Sequence, residues 1–291
     1  MVVLVTGANG QLGQSLHYIA HNYPQIEFVF CDSKALDITQ KTTIETVFKA
    51  NNPDFCINTA AYTAVDKAET ESEKAYEINV SGAKNLAEVC QTYNTKLIHV
   101  STDFVFDGSL DKNQTIRGYK EGDIPNPKSS YGQTKLAGEK AIQSVFDDYF
   151  IVRTSWVYSQ FGNNFMKTML RLGAEKDSLS VVNDQIGTPT NAVDLAEALV
   201  EIILFVIQNP TQKAFGIYNF SNEGSCSWFD FAQKIFEIKH INIDLQPIPT
   251  SSYPTPAERP KYSVLDKTKI KSVFGITIKS WEESLNKTIT I

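Results

Sequence analysis

Three glycines at three-residue spacing, Gly7, Gly10 and Gly13, follow directly on a β-branched run at the start of the chain. Met1 to Val5 reads as a short buried strand, because an unbroken apolar run bounded by turn residues is how a strand covered on both faces looks in sequence. Between a strand and a helix the glycines have separate duties. The first permits a tight turn, the second lets backbone approach a pyrophosphate, and the third lets the helix pack closely on the strand. Phosphate charge then rests on the helix N-terminus, where unpaired N–H groups point outward. The feature predicts a dinucleotide-binding βαβ unit.

The rest of the first half keeps the same rhythm. Apolar runs recur at Phe28 to Cys31, Phe55 to Asn58, Leu97 to Val100 and Phe150 to Val152, and the segments between them have helical spacing. Thr39 is placed to cap a helix that stops at Asn51-Asn52-Pro53, and a longer helical segment runs through Ala75, Ile78, Leu86 and Val89. Alternating strands and helices imply right-handed crossovers and a doubly wound, Rossmann-like parallel α/β sheet. Beyond Arg153 turn signals crowd in at Gly162-Asn163-Asn164, Gly187-Thr188-Pro189 and the proline-rich stretch from Pro247 to Pro260. The expected organisation is a dinucleotide-binding domain over 1–155 and a smaller substrate-binding lobe from 156–190 and 208–291. The apolar helix from Asn191 to Ile207 is expected to pack back on the sheet.

Composition narrows the function. With 33 acids against 27 bases the formal charge is -6, so no field favours nucleic acid or an anionic membrane. The most apolar stretch, Leu199 to Ile207, is broken by Glu201 and falls short of the roughly 20 residues needed to cross a bilayer. The N-terminus enters strand one without a basic leader, so the mature chain is expected to begin there. Cys31, Cys56, Cys90 and Cys226 form no CxxC pair, which fits reduced thiols in a cytoplasmic protein. His17 and His21 stand four apart on a helix but lack a third ligand, so no metal site is assigned.

Two further features carry chemistry. Asp32 ends the second strand 19 residues after Gly13, close to the ~20 residues at which an acid bonds the adenosine ribose. Its carboxylate favours NAD over a 2′-phosphate, while Lys34 offsets part of that preference. Tyr131 and Lys135 stand four apart at the start of a helical segment, so they project from one face. A phenol near pKa 10 is a poor donor at pH 7, and each unit of depression needs ~1.4 kcal/mol; a neighbouring ammonium and a cationic nicotinamide ring can supply it. The lysine can also bond the nicotinamide ribose. Ser101 and Thr102 lie at the carboxyl end of strand four, the edge where doubly wound sheets bind ligands, and either hydroxyl can reach a substrate carbonyl.

The glycine loop, Tyr131, Lys135 and Thr102 resemble the extended short-chain dehydrogenase/reductase family. Longer strings narrow the resemblance to its dTDP-4-dehydrorhamnose reductases: Asn58 to Glu69, Ser101 to Gly108, Pro125-Asn126-Pro127, Arg153 to Tyr158, Asn163 to Phe165, Asp184-Gln185 with Gly187 to Thr190, and Tyr253 to Pro256 with Arg259-Pro260. These run in order over nearly the whole chain.

The resemblance implies reduction, with NADPH or NADH, of the 4-keto group of dTDP-4-dehydro-L-rhamnose, the last step in making a sugar donor for surface polysaccharide. It casts Tyr131 as proton donor, Lys135 as ribose-binding partner and Thr102 as the hydroxyl that tunes carbonyl and phenol. It places Gly7, Gly10, Gln11, Leu12, Gly13, Asp32, Asp37, Ile38, Ala61, Tyr62 and Thr63 at the cofactor, and Thr102, Asp103, Trp156, Asn163 and Arg259 at the substrate. Arg259 suits a diphosphate because a guanidinium grips phosphate oxygens with two bonds. Some members dimerise through acids near the first helix that gather magnesium. Here Gln14-Ser15-Leu16 follows Gly13, which argues against a metal-linked dimer and leaves monomer or homodimer. Two rivals differ in their residues. Related dehydratases follow the strand-four threonine with Asp and Glu, whereas Phe104 follows Asp103 here; an epimerase is separated less sharply. A non-catalytic regulatory subunit need not keep the acid–base pair.

Overall fold

A computed structural model describes residues 1–109 and 117–290. Its centre is a six-stranded sheet with strands in the order Gly216–Asn219, Tyr149–Thr154, Lys96–Thr102, Phe55–Asn58, Val2–Thr6 and Glu27–Cys31. All five strand pairs are parallel. The order reverses beside the first strand, so the crevice at the carboxyl ends of strands one and three is where such sheets open for ligands.

Each face of the sheet carries its own core. On one, Leu12, Leu16 and Ile19 of helix Gln11–Ile19 pack with Leu195, Leu199, Ile202 and Ile203 of helix Ala192–Gln208. On the other, Ile44 and Phe48 of helix Lys41–Asn51 pack with Leu86, Val89 and Cys90 of helix Ala83–Tyr93. Asn52 and Asn94 close these last two helices in the left-handed conformation that asparagine tolerates better than most residues. A third cluster, built on Tyr158, Met166, Phe231, Ile235, Trp281 and Leu285, lies apart from both sheet cores, among the segments expected to form the smaller lobe. The four cysteines are buried free thiols. No helix among the described residues is long and apolar enough to cross a membrane.

Two expectations need correction. Thr39 does not cap the second helix; Gln40 is the boundary residue, and the Thr39 hydroxyl donates to Asp37 Oδ1 at 2.8 Å. The hydroxyl is turned to an adjacent carboxylate that accepts its hydrogen, and so away from the helix N–H groups it would have had to accept from. The segment 208–291 also does not belong wholly to the smaller lobe. Strand Gly216–Asn219 pairs with Tyr149–Thr154, and Ile270, Val273 and Phe274 of helix Thr268–Phe274 pack in the first core. A four-residue strand with a single apolar pair carries almost no periodic signal, whereas an open sheet edge beside Phe150 and Val152 supplies partners for it.

Candidate active site

The glycine loop has little space for side chains. Gly7 adopts φ +66°, and a Cβ there would fall 2.7 Å from Ala60 N; one on Gly13 would fall 2.5 Å from Gly7 O. The Gly10 amide closes the turn onto Gly7 O at 2.9 Å. Helix Gln11–Ile19 then begins at Gly10 without a side-chain cap, so its first N–H groups remain available to an anion. This cradle fits a dinucleotide pyrophosphate. Asp32 stands beside it: Oδ1 accepts from the amides of Lys34 and Ala35 at 3.0 Å each, and Oδ2 from Asn9 Nδ2 at 3.1 Å. These backbone bonds hold its carboxyl below the usual range. A cavity of about 560 Å³ opens here, lined by Asn9, His17, Phe30, Asp32 and Phe161 among others, at the ribose end of the site.

The remaining cofactor candidates divide. Gln11 ties the loop to the far side of the cleft, with Oε1 accepting from Asn164 Nδ2 at 2.9 Å and from Ser159 Oγ at 3.2 Å. Leu12 and Ile38 are core residues, 7% and 4% exposed, so their side chains face the sheet. Asp37 Oδ1 is engaged by the amide and hydroxyl of Thr39. Tyr62 is buried, with both backbone groups bonded to Asn79 and its hydroxyl donating to Glu71; Ala61 is half-buried and Thr63 exposed. His17 lies edge-on to Phe30, and His21 Nδ1 is 2.9 Å from Tyr18 O.

Tyr131 and Lys135 ride on helix Ser130–Gln143, whose start is fixed twice. Ser129 Oγ accepts from Gly132 N, and Glu69 takes both the amide and the hydroxyl of Ser130 at 2.8 Å. Tyr131 is thereby brought to the carboxyl end of strand four. Its ring meets Phe104 edge-on at 5.6 Å, and its hydroxyl feels the Thr102 hydroxyl. Burial pushes the phenol up to about 12, Thr102 pulls it down in part, and the Asp103 charge adds to the rise. Thr102 Oγ1 itself donates to Asp103 Oδ1 at 3.1 Å. Asp103 is 2% exposed, and burial raises its carboxyl to about 6 against the opposing influence of Ser263 and Thr102.

Lys135 shares the helix face of Tyr131, but its ammonium turns down onto strand four. Nζ donates to Val100 O at 2.7 Å and lies 3.3 Å from His99 Nε2. Burial lowers the lysine to about 8, opposed by the charge of Glu139. Glu139 in turn binds Arg153 through Nε at 3.0 Å and a terminal nitrogen at 2.7 Å, and accepts from Ser101 Oγ at 2.5 Å. Ser101 therefore supports the floor of the site and Thr102 faces the phenol, as strand alternation requires. Glu139 escaped attention in sequence, although it lies one helical turn beyond Lys135 on the same face. His99, which reaches the lysine from below, and Asn58 behind it were not singled out for chemistry in the sequence: His99 lies in a strand run, and Asn58 only opens one of the strings that carry the resemblance.

Across the cleft the substrate candidates behave differently from one another. Trp156 holds φ +47°, a region costly for a bulky residue, and stacks on Trp228 with centroids 3.6 Å apart. Asn163 is exposed, while its neighbour Asn164 caps helix Phe165–Glu175 and bonds Gln11. Arg259 grips a carboxylate of this chain: its two terminal nitrogens meet Asp66 at 3.0 and 2.7 Å. The planar fork that suits a diphosphate suits Asp66 equally.

Comparison with known proteins places this geometry. A family model described as RmlD substrate binding domain matches residues 1–291. A dTDP-4-dehydrorhamnose reductase from Aggregatibacter actinomycetemcomitans is 42% identical over 289 residues, covering 97% of this chain and 96% of its own. The chain belongs to the dTDP-4-dehydrorhamnose reductase family. An Escherichia coli member is 37% identical over 99% of this chain and 96% of its own. Among solved structures, the family member from Bacillus anthracis, in complex with NADP, superposes with a TM-score of 0.92 at 40% identity, over 99% of this chain and 98% of its own. A UDP-glucose 4-epimerase from Thermus thermophilus, with a TM-score of 0.82 but 21% identity, shares the fold.

Proposed function

We propose that this protein reduces the 4-keto group of dTDP-4-dehydro-L-rhamnose to give dTDP-L-rhamnose with NADPH or NADH, as a cytoplasmic enzyme supplying surface polysaccharide. The observation that carries this reading is the placement of Tyr131 against Thr102 at the carboxyl edge of the sheet, with Lys135 beneath them and the glycine cradle across the same edge. When bound, a reduced nicotinamide supplies the hydride taken up by the ketone carbon.

The chain's own groups do the rest. The amides after Gly10 would hold the pyrophosphate of a bound dinucleotide and Asp32 its adenosine ribose. Lys135 keeps an N–H beyond its bond to Val100 O for the nicotinamide ribose. Tyr131 gives its proton to the oxygen as the carbonyl becomes an alcohol, and Thr102, turning its hydroxyl hydrogen from Asp103 Oδ1, donates to the same oxygen, worth on the order of a few kcal/mol. A buried phenol near 12 is a weak acid, so it needs positive charge nearby, which the Lys135 ammonium and a bound nicotinamide would supply. Asp103 and the Trp156 ring border the sugar, with Asn163 at the exposed rim. Because Asp66 already holds Arg259, a diphosphate would take over a fork that closes one lobe on the other.

Tyr131→Phe tests the assignment. The variant should bind cofactor as the wild type does and lose turnover by at least about a hundredfold, in the range removed with a general acid. Wild-type kcat in that variant, or product formed without stoichiometric oxidation of the reduced cofactor, would show the reading to be wrong.

A further inference from the structure

A line of buried polar side chains crosses the sheet beneath Lys135, and its hydrogens can be assigned. Thr6, Asn58 and His99, on strands one, three and four, are 0%, 1% and 1% exposed. The backbone amide of Ala60 donates to Asn58 Oδ1 at 3.1 Å, and Thr6 Oγ1 bonds the same oxygen at 2.7 Å. A main-chain N–H has no acceptor form, so the asparagine oxygen must lie on that side. Its Nδ2 then faces His99 Nδ1 at 2.9 Å and donates to it. Burial and the charge of Lys135 hold His99 well below its ordinary range, so the ring is neutral and its single hydrogen sits on Nε2. That N–H points at Lys135 Nζ, 3.3 Å away. Against an ammonium two donors would meet; against an amine with a lone pair the contact is a hydrogen bond.

We propose that Asn58 and His99 are positioning residues for Lys135, with Asn58 locking His99 in the Nε2–H form so that the ring holds the lysine when it has given up a proton. The proposal rests on the roles of Tyr131 and Lys135 given above. Balanced through one turnover, Tyr131 loses its O–H proton to the substrate oxygen, and the phenolate regains one from the Lys135 ammonium. The amine left behind accepts the His99 N–H until solvent restores its proton. The titratable groups that bear on the lysine are His99 on strand four and Glu139 on its own helix, whose charge Arg153 on strand five neutralises.

Two measurements test this. In a two-bond proton–nitrogen spectrum of the wild-type protein without substrate, the histidine that does not titrate should show Nδ1 as the bare nitrogen and Nε2 as the protonated one. The opposite pattern overturns the proposal and leaves the Tyr131 assignment standing, whereas an active Tyr131→Phe variant would sink that assignment and not the tautomer. The second uses Asn58→Asp, whose two oxygens accept from Ala60 and from His99 Nδ1–H, turning the Nε2 lone pair toward the ammonium. The alkaline limb of kcat should rise by about one pH unit or more, tenfold in proton affinity. In a His99→Gln background, where no tautomer exists to reverse, the same substitution reports the added charge alone and should move the limb less. Equal shifts in the two backgrounds, or no shift in either, overturn the proposal.

Discussion

Two arginine–carboxylate pairs with nearly the same geometry sit in different solvents. Arg153 and Glu139 join at 2.7 Å with side chains 2% and 1% exposed, under the strand that presents Thr102. Arg259 and Asp66 also join at 2.7 Å, yet are 26% and 39% exposed and connect the smaller lobe to the loop after strand three. Water decides what each does. In the first, burial leaves neither charge any water to turn to, so the pair is a rigid support for helix Ser130–Gln143. In the second, solvent or a ligand anion can replace either partner at little cost, which suits a contact that opens and closes over substrate.

The largest expected effect follows from the buried pair. Glu139→Ala strands the Arg153 charge and should destabilise the fold by about 3–5 kcal/mol, read as a fall in the urea midpoint at constant slope. If the loss were under ~1 kcal/mol, the contrast between the pairs would disappear. A carboxylate buried without a cation sharpens it. Asp103 has a folded pKa of about 6, above its ordinary 3.8, so stability is full below pH 4 and declines as pH rises through 6. Asp103→Asn should therefore stabilise the protein at pH 7.5 by up to about 2–3 kcal/mol, with the difference from wild type gone by about pH 4. A constant difference across that range would place the effect elsewhere. The smallest change belongs to the exposed pair. Asp66→Asn should cost ~0–1 kcal/mol, and less in concentrated salt, while raising KM for the nucleotide sugar more than it lowers kcat. Arg259 and the Ala257 amide hold Asp66 below the usual carboxylate range, so its contribution to stability is present at neutral pH and is lost as pH falls through that range.

The fold was legible wherever a local signal matched the tertiary role. The strands at Val2–Thr6 and Phe55–Asn58 announce themselves by unbroken apolar runs, and the glycine loop by its spacing. Tyr131 and Lys135 were legible as a helical pair. Strand Gly216–Asn219 was not, because four residues with one apolar pair look like a turn until a sheet edge is placed beside them. Asp37 and Ile38 were named by resemblance alone, and only the structure shows one side chain held in a turn and the other under Gly82. Arg259 was named for a diphosphate, and nothing in the sequence pointed to its partner Asp66, which lies 193 residues away.

By itself the amino-acid order determined the alternation of strands and helices, the cradle for a pyrophosphate and the helix face shared by phenol and amine, since each depends on residues within a few turns of one another. Only the tertiary structure decided that Lys135 turns down to Val100 and His99, that Glu139 is matched to Arg153, and that Arg259 closes on Asp66. Those outcomes depend on burial and on donors and acceptors from separate strands, and a hydrogen bond acquires its direction only once both ends have been placed.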